Sequence, residues 1–170
     1  MWCWDFVFDR TRDGRMLKWL TLVDEYSREC LALEVGRRFT SRDVLDVLAR
    51  LFVTRGQPKH LRSDNGPEFI AQELRGWLGR MGTVPLYIEP GSPWENGYSE
   101  SFNSKLRDEL LSTEEFTSVE EARVLGRRYQ EDYNQRRPHS GLGNQTPAEF
   151  AAQQARSDLA VSWGCCAAAP

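Results

Sequence analysis

The first third of the chain alternates apolar and polar positions, which is the pattern of half-buried β-strands. Three such segments follow one another, at residues 2–9, 16–23 and 29–35. The first two are separated by residues 11–14, a polar turn sequence that ends in glycine. The sequence therefore predicts an antiparallel three-stranded meander at the start of the chain.

After residue 36 the apolar spacing changes to that of helices alternating with short strands. Residues 40–43 resemble a capping box, and the helix behind them is predicted to end at Gly56. A strand over residues 60–63, a helix over 67–81 and a strand over 84–88 follow. The apolar face of that second helix is predicted to consist of Ile70, Leu74, Trp77, Leu78 and Met81.

The last third of the chain is predicted to be helical. Residues 89–97 are rich in proline and glycine, which is typical of a mobile loop, and a helix over 98–111 follows. A capping box at Ser118 starts a helix to Gln135, and a short helix starts at Thr146. The order of elements predicts an α/β fold. Its mixed sheet has five strands, three antiparallel and then two parallel, flanked by helices.

Length and composition limit the classes of protein that fit this pattern. The 170 residues are predicted to form one domain over 1–153 and a disordered tail over 154–170. The net charge of −3 argues against a purely electrostatic nucleic-acid binder. The cysteines and histidines form no zinc signature, and we expect a reduced, cytosolic protein without a structural metal or a membrane span.

Three carboxylates are candidates for chemistry. Asp5 lies within the first strand, where aspartate is disfavoured, and Asp64 lies at the end of the fourth strand, where α/β sheets bind ligands. Glu100 follows Asp64 with 35 residues between them. Asp9 and Asp24 are rivals of Asp5 as the first carboxylate. Converging carboxylates repel one another, and oxygen-preferring divalent cations relieve that repulsion.

Polar side chains accompany these carboxylates along the predicted elements. Asn96, Asn103 and Arg107 form one polar stripe with Glu100 if that segment is helical. Arginines and tyrosines alternate on the helix that starts after Ser118 and just beyond it, which is typical either of a DNA-backbone surface or of a solvated helix face.

Four segments, taken together, resemble the catalytic core of D-D-E insertion-sequence transposases, the group closest to retroviral integrases. They are WDF at 4–6, SDNGPEF at 63–69, PGSPWENGYSESFNSKLRDE at 90–109 and YNQRRPHSGLGNQTPAEF at 133–150. The resemblance covers residues 2–153, and the 35-residue gap between Asp64 and Glu100 is a hallmark of that group.

The resemblance implies an RNase H-like fold with a two-metal mechanism of DNA strand cleavage and strand transfer. Asp5, Asp64 and Glu100 would be the catalytic triad and would bind two Mg²⁺ or Mn²⁺ ions. Asp5 is preferred over Asp9 because the group places its first aspartate in a similar Trp-x-Asp-Phe context. The candidate DNA-binding residues are Asn65, Asn96, Asn103, Arg107, Arg136 and Arg137.

The expected partners also follow from the resemblance. They are DNA, both as element ends and as target, further copies of the chain on DNA, and an upstream-frame transposase protein. Transposases of this group carry an N-terminal DNA-binding region, which we expect to be missing here, in a bacterial protein of the cytoplasm and nucleoid. Two alternatives stay open: a nuclease that cuts without joining, and a non-catalytic fragment that binds DNA or a partner.

Overall fold

The structure is a computed structural model that describes residues 1–88 and 97–164, with side chains described up to residue 157. The strands are β1 (Trp2–Arg10), β2 (Met16–Asp24), β3 (Cys30–Gly36), β4 (His60–Ser63) and β5 (Val84–Tyr87). The helices are α1 (Ser41–Arg55), α2 (Pro67–Ile70), α3 (Gln72–Met81), α4 (Gly97–Leu106), α5 (Val119–Arg136) and α6 (Pro147–Gly164). Within the described helices, no segment combines the length and the apolar character needed to cross a bilayer.

The five strands form one mixed sheet in the order β3-β2-β1-β4-β5. The pairs β1–β2 and β2–β3 are antiparallel, and β4 lies parallel to both β1 and β5. The first two strands are joined by the predicted tight turn, in which Gly14 takes a φ of 78° and donates its N–H to Thr11. The predicted sheet architecture is confirmed, with the first strand at its centre.

The sheet separates two hydrophobic cores, because successive side chains of a strand point to opposite faces. On one face Cys3, Val7 and Trp19 pack against α4 and α5. On the other face Trp4 and Leu20 pack against α1, α2 and α3. Residues at odd positions of β1, including Asp5, therefore face the side of the sheet that α4 covers.

Helix α1, which covers part of the second core, begins and ends where the sequence predicts. The Thr40 side chain accepts the N–H of Asp43, whose carboxylate accepts the N–H of Thr40 in return, and this pair forms a complete capping box. The N–H of Gly56 donates to Phe52 and ends the helix. The local pattern was sufficient here because both signals act within a few residues.

The predicted single helix over 67–81 is wrong, because the chain breaks into α2 and α3 at Ala71. That residue has an extended backbone (φ −54°, ψ 132°). The break turns Phe69 inward, where its ring stacks on Trp4 and Phe6 at centroid distances of 4.6 and 4.8 Å. Ile70 is left 44% exposed, so it is not the core residue that the spacing predicts. Met81, at the far end of α3, is also exposed.

Two helices differ in extent from their predicted ranges. The chain continues from α4 into a π-helical turn over Arg107–Leu111, so the predicted helix over 98–111 changes its winding at its last turn. Helix α6 continues to Gly164, and the part of the predicted tail before residue 165 is therefore helical. Residues 165–170, and the predicted loop over 89–97 up to residue 96, lie outside the described residues. The domain boundary at 153 stays a prediction.

Helix α5 is tied to the outer edge of β3 by side-chain hydrogen bonds. The Asn134 amide accepts the N–H of Cys30 at 2.8 Å and donates to its carbonyl at 2.9 Å. Gln130 donates to the same carbonyl at 2.8 Å. These contacts join residues about a hundred positions apart and satisfy backbone groups at the edge of the sheet.

Candidate active site

Asp5 is held inside the sheet by hydrogen bonds to both of its carboxylate oxygens. One oxygen accepts the backbone N–H of Phe6 at 2.7 Å, and the other accepts the side-chain amide of Asn103 at 2.8 Å. The Asn103 carbonyl oxygen in turn accepts the hydroxyl of Thr21 at 3.0 Å. Thr21 pairs with Asp5 in the β1–β2 register. Asp5 is therefore oriented from three elements of the fold.

Asp64 lies beside Asp5, as the parallel pairing of β1 and β4 requires. The ladder pairs Trp2 with Leu61 and Cys3 with Arg62, and the same offset, continued one residue past the end of β4, brings Asp64 level with Asp5 along the sheet. The residue after β4 begins a tight turn in which Asp64 Oδ1 accepts the N–H of Gly66 at 2.9 Å. The predicted parallel pairing of the two strands is confirmed, and Asp64 directly follows β4 rather than lying within it.

The electrostatics of Asp5 agree with this proximity. Burial raises its pKa from an ordinary value of 3.8 to about 6, and the nearby charge of Asp64 adds to that rise. The Phe6 N–H, the positive charge of Arg107 and the Asn103 amide act in the opposite direction. Two neighbouring acidic groups, Asp5 largely buried and Asp64 exposed, favour a cation between them.

Helix α4 carries both Asn103, whose amide binds Asp5, and Glu100. Asn103 is only 7% exposed, and its amide is used by Asp5 and Thr21. Glu100 lies three residues earlier, about 4.5 Å along the helix axis, and its side chain is exposed. The helix therefore presents Glu100 one turn away from the residue that holds Asp5.

The described residues do not contain a preformed three-ligand metal cage. Within 1–88 and 97–157, no three His, Cys, Asp or Glu side chains lie close enough together to hold a metal ion. The donor chemistry of the aspartate pair nevertheless fits a hard divalent cation. Each carboxylate oxygen can accept two interactions, so Asp5 keeps a free lone pair on each oxygen beside its hydrogen bonds.

The remaining predicted DNA contacts lie in different surroundings. The Asn65 amide donates to the carbonyl of Ile88 at 2.9 Å and so ties the turn after β4 to the end of β5. Arg107 is exposed beside the aspartates, and Asn96 lies outside the described residues. Arg136 is exposed and pairs with Asp132, whereas Arg137 forms a bidentate ion pair with Glu109.

Thr21 is the residue of this site that sequence reasoning did not single out. Its hydroxyl donates to Asn103 across 82 positions of the chain. The available signal was a polar residue in an otherwise apolar strand, opposite Asp5 once the hairpin register is known. The rival carboxylates lie elsewhere, since Asp9 is next to the hairpin and Asp24 pairs with Trp2 at the other end of the register.

The family of the chain follows from its similarity to known protein families. Residues 1–93 match a family model described as integrase core domain, and residues 81–147 match a second model with the same description. The chain belongs to the integrase core domain family. These two matches contain Asp5, Asp64, Glu100 and Asn103.

Proteins of insertion elements are among the relatives of this integrase core. The chain is 42% identical over 151 residues to an insertion element IS476 protein of Xanthomonas euvesicatoria, covering 89% of the chain and 44% of that protein. It is 28% identical to the transposase InsF for IS3A of Escherichia coli, covering 88% and 52%. The chain therefore spans about half the length of the curated relatives that it matches.

A retroviral structure shows the same fold. The HTLV-2 integrase catalytic core domain, solved in complex with magnesium in a trimeric form, superposes with a TM-score of 0.67. The match covers 88% of this chain and 93% of that domain at 17% identity. The RNase H-like architecture of the integrase core is thereby confirmed.

Proposed function

We propose that this integrase core catalyses metal-dependent cleavage of DNA strands and their transfer to target DNA, as the catalytic part of a transposase. One observation carries the proposal: Asp5 lies within β1, and Asp64 directly follows β4, the adjacent parallel strand, close enough for its charge to act on Asp5. A carboxylate pair on a rigid sheet, within a family of integrase cores, is suited to phosphoryl transfer at a nucleic-acid backbone.

Asp5 and Asp64 are the residues that would hold the metal, with Glu100 as the third ligand. Bound Mg²⁺ or Mn²⁺, two ions per site, would lower the pKa of an attacking water or 3′ hydroxyl and stabilise the leaving oxygen. The magnesium in the HTLV-2 core supports this choice of ion. Glu100 is one helical turn from Asn103, which binds Asp5, so the helix that adjoins the aspartate pair carries the proposed third ligand.

The protein's own groups position the two aspartates. Asn103 and the Phe6 N–H hold the carboxylate of Asp5, which keeps its oxygens directed to the α4 side of the sheet. The Gly66 N–H donates to Asp64 Oδ1 and orients that carboxylate within its turn. A Cβ on Gly66 would lie 3.0 Å from Asp64 Oδ1, so a side chain there would disturb that contact.

DNA is the proposed substrate, and the exposed cations are the proposed contacts. Arg107 lies close enough to Asp5 to lower its pKa, and there it would bind a phosphate next to the reacting one. We also place Asn65, Asn96, Arg136 and Arg137 along the DNA. Asn103 acts as a positioning residue, because its amide is buried in the contacts with Asp5 and Thr21.

The proposed assembly is a homo-oligomer on DNA. The trimeric form of the HTLV-2 core supports assembly of such domains, and the insertion-element relatives support a bacterial setting. We further propose an upstream-frame transposase protein as a partner of this core on DNA.

The test is nicking and joining of a labelled element end in the presence of Mg²⁺ or Mn²⁺. The expected N-terminal DNA-binding region is supplied by fusion or as a separate protein. Asp64→Asn keeps the shape of the side chain but removes its charge, and we expect loss of both activities with DNA retention unchanged. Asp46→Asn, an exposed residue of α1 on the other face of the sheet, is the matched control and should stay active.

Three outcomes distinguish the alternatives. Nicking and joining by the wild type, lost in Asp64→Asn alone, supports the transposase core. Nicking that never leads to joining identifies a nuclease. DNA binding without either reaction, in the complemented wild type, identifies a non-catalytic fragment and overturns the proposal.

A further inference from the structure

A second polar site lies on the opposite flank of helix α4 from Glu100. A cavity of about 400 Å³ opens between the first turns of α4, the turn before β3 and the segment that follows α5. Tyr98, Ser101 and Lys105 line it from α4, whereas Glu100 and Arg107 project from the other side of the helix. The cavity and the aspartate pair are therefore neighbours that share one helix.

The lining of this cavity is cationic. Arg28, Lys105 and Arg137 reach it from three elements, together with His139. No Asp or Glu belongs to its lining in the described part of the chain. Arg137 is neutralised by Glu109, which leaves Arg28 and Lys105 as the main sources of positive charge.

Two buried polar atoms next to the cavity have no hydrogen-bond partner among the described residues. They are Arg28 Nη1 and His139 Nε2, and both lie behind the cavity surface, closed off from solvent. The Arg28 guanidinium is fixed by stacking on Tyr98, 3.6 Å from the ring centroid. A guanidinium N–H that lacks an acceptor is costly to bury, and an anion in the adjoining cavity would offset the charge of Arg28.

The electrostatic field of the cavity acts on His139. Burial and the charges of Lys105, Arg137 and Arg28 lower its pKa to about 4. The pKa of Lys105 is lowered as well, by burial and by Arg137. A group of cations that repel one another in this way would be stabilised by an anion with several acceptor oxygens.

We propose that this cavity binds a backbone phosphate of DNA, with Arg28 and Lys105 as the contacts. The proposal rests on the proposed function, because DNA at the aspartate pair would pass directly over α4. Tyr98, which is exposed, adds aromatic surface for the adjoining sugar or base. A phosphate held here would fix the strand on one flank of α4 while the reaction takes place on the other.

The first test is DNA binding without catalysis. All proteins carry Asp64→Asn, the buffer contains EDTA, and a fluorescein-labelled duplex is titrated by anisotropy at several salt concentrations. Lys105→Gln and Arg28→Asn should each weaken binding about tenfold and lower the salt slope by about one. Asparagine is chosen at position 28 because Arg28 has a left-handed backbone (φ 62°). Circular dichroism melting confirms that each variant is folded.

Lys59→Gln is the matched control, since it removes the same charge from an exposed residue beyond α1. It should change the affinity by less than about twofold. If Lys105→Gln and Arg28→Asn bind as Lys59→Gln does, the proposal is overturned, and this result leaves the nicking and joining assay unaffected. If the wild type neither nicks nor joins DNA but both cavity variants bind DNA more weakly than it does, the phosphate site is supported and the proposed reaction is not.

A second measurement needs no variant in the cavity. The chain has three lysines, Lys18, Lys59 and Lys105, and their acetylation by an amine-reactive ester can be followed by mass spectrometry. Lys18 pairs with Glu68. DNA should protect Lys105 several-fold more than Lys59. Protection by inorganic phosphate or a mononucleotide, with none by DNA, would assign the cavity to small phosphate ligands and overturn the DNA proposal.

Discussion

Asp5→Asn should stabilise the metal-free protein at neutral pH. The buried carboxyl has a pKa of about 6, against an ordinary value of 3.8, and each pKa unit corresponds to about 1.4 kcal/mol. Ionised Asp5 therefore costs the folded state up to about 3 kcal/mol. The amide removes that cost, and a flip of the Asn103 side chain lets it accept from the newly introduced amide and donate to Thr21.

The sign of the pH dependence follows from the raised pKa. The folded state binds the Asp5 proton more tightly than the unfolded state does, so its stabilising effect is complete below about pH 4. That effect is lost as the pH rises through about 6. The free energy of unfolding of Asp5→Asn should exceed that of the wild type by an amount that grows between pH 4 and pH 7 and is then constant.

Urea denaturation in EDTA at four or five pH values measures this difference directly. Subtracting the two proteins cancels the other titrating groups, which they share. Asp46→Asn is again the control, and its difference from the wild type should not change with pH. A constant difference between wild type and Asp5→Asn from pH 4 to pH 8 would refute the argument that burial and Asp64 act on this carboxyl.

Two further predictions concern the ion and the packing. Millimolar Mg²⁺ should raise the melting temperature of the wild type and of Asp46→Asn but not of Asp64→Asn, because an ion at ten times its Kd adds about 1.4 kcal/mol to the free energy of unfolding. Scanning fluorimetry measures the melting temperatures, and an equal rise in Asp64→Asn would contradict the prediction. Gly126→Ala should lower the free energy of unfolding by about 1–3 kcal/mol, because its Cβ would lie 2.7 Å from the Trp19 ring. Gly79→Ala, in open space on α3, is the control for that urea experiment and should be neutral or slightly stabilising.

Local signals predicted the elements well where a few neighbouring residues decide the structure. The hairpin at Gly14, the Thr40 capping box and the turn at Asp64 each depend on contacts within four positions. Their chemistry is present in the sequence itself. Predicting the strand order needed only one further rule, namely that strands of one sheet that are joined by a helix lie parallel.

Distant contacts explain what the sequence could not predict. The break at Ala71 exists because Phe69 stacks between rings of β1, more than sixty positions earlier in the chain. Asn103 was predicted as a DNA contact from its stripe on α4, and only the fold shows that Thr21 and Asp5 occupy its amide. Spacing locates such residues on a face, but the partner across that face decides their role.

The side-chain hydrogen bonds between α5 and β3 affect the order in which the chain folds during synthesis. Asn134 binds the backbone of Cys30, 104 residues earlier, and the core that buries Trp19 is closed by α4 and α5 together. The meander therefore emerges from the ribosome long before one of its faces can be covered. Until residue 136 is available, Trp19 and Val7 are exposed on a nascent sheet. A gene copy truncated before α5 would yield an aggregation-prone polypeptide rather than a smaller folded domain.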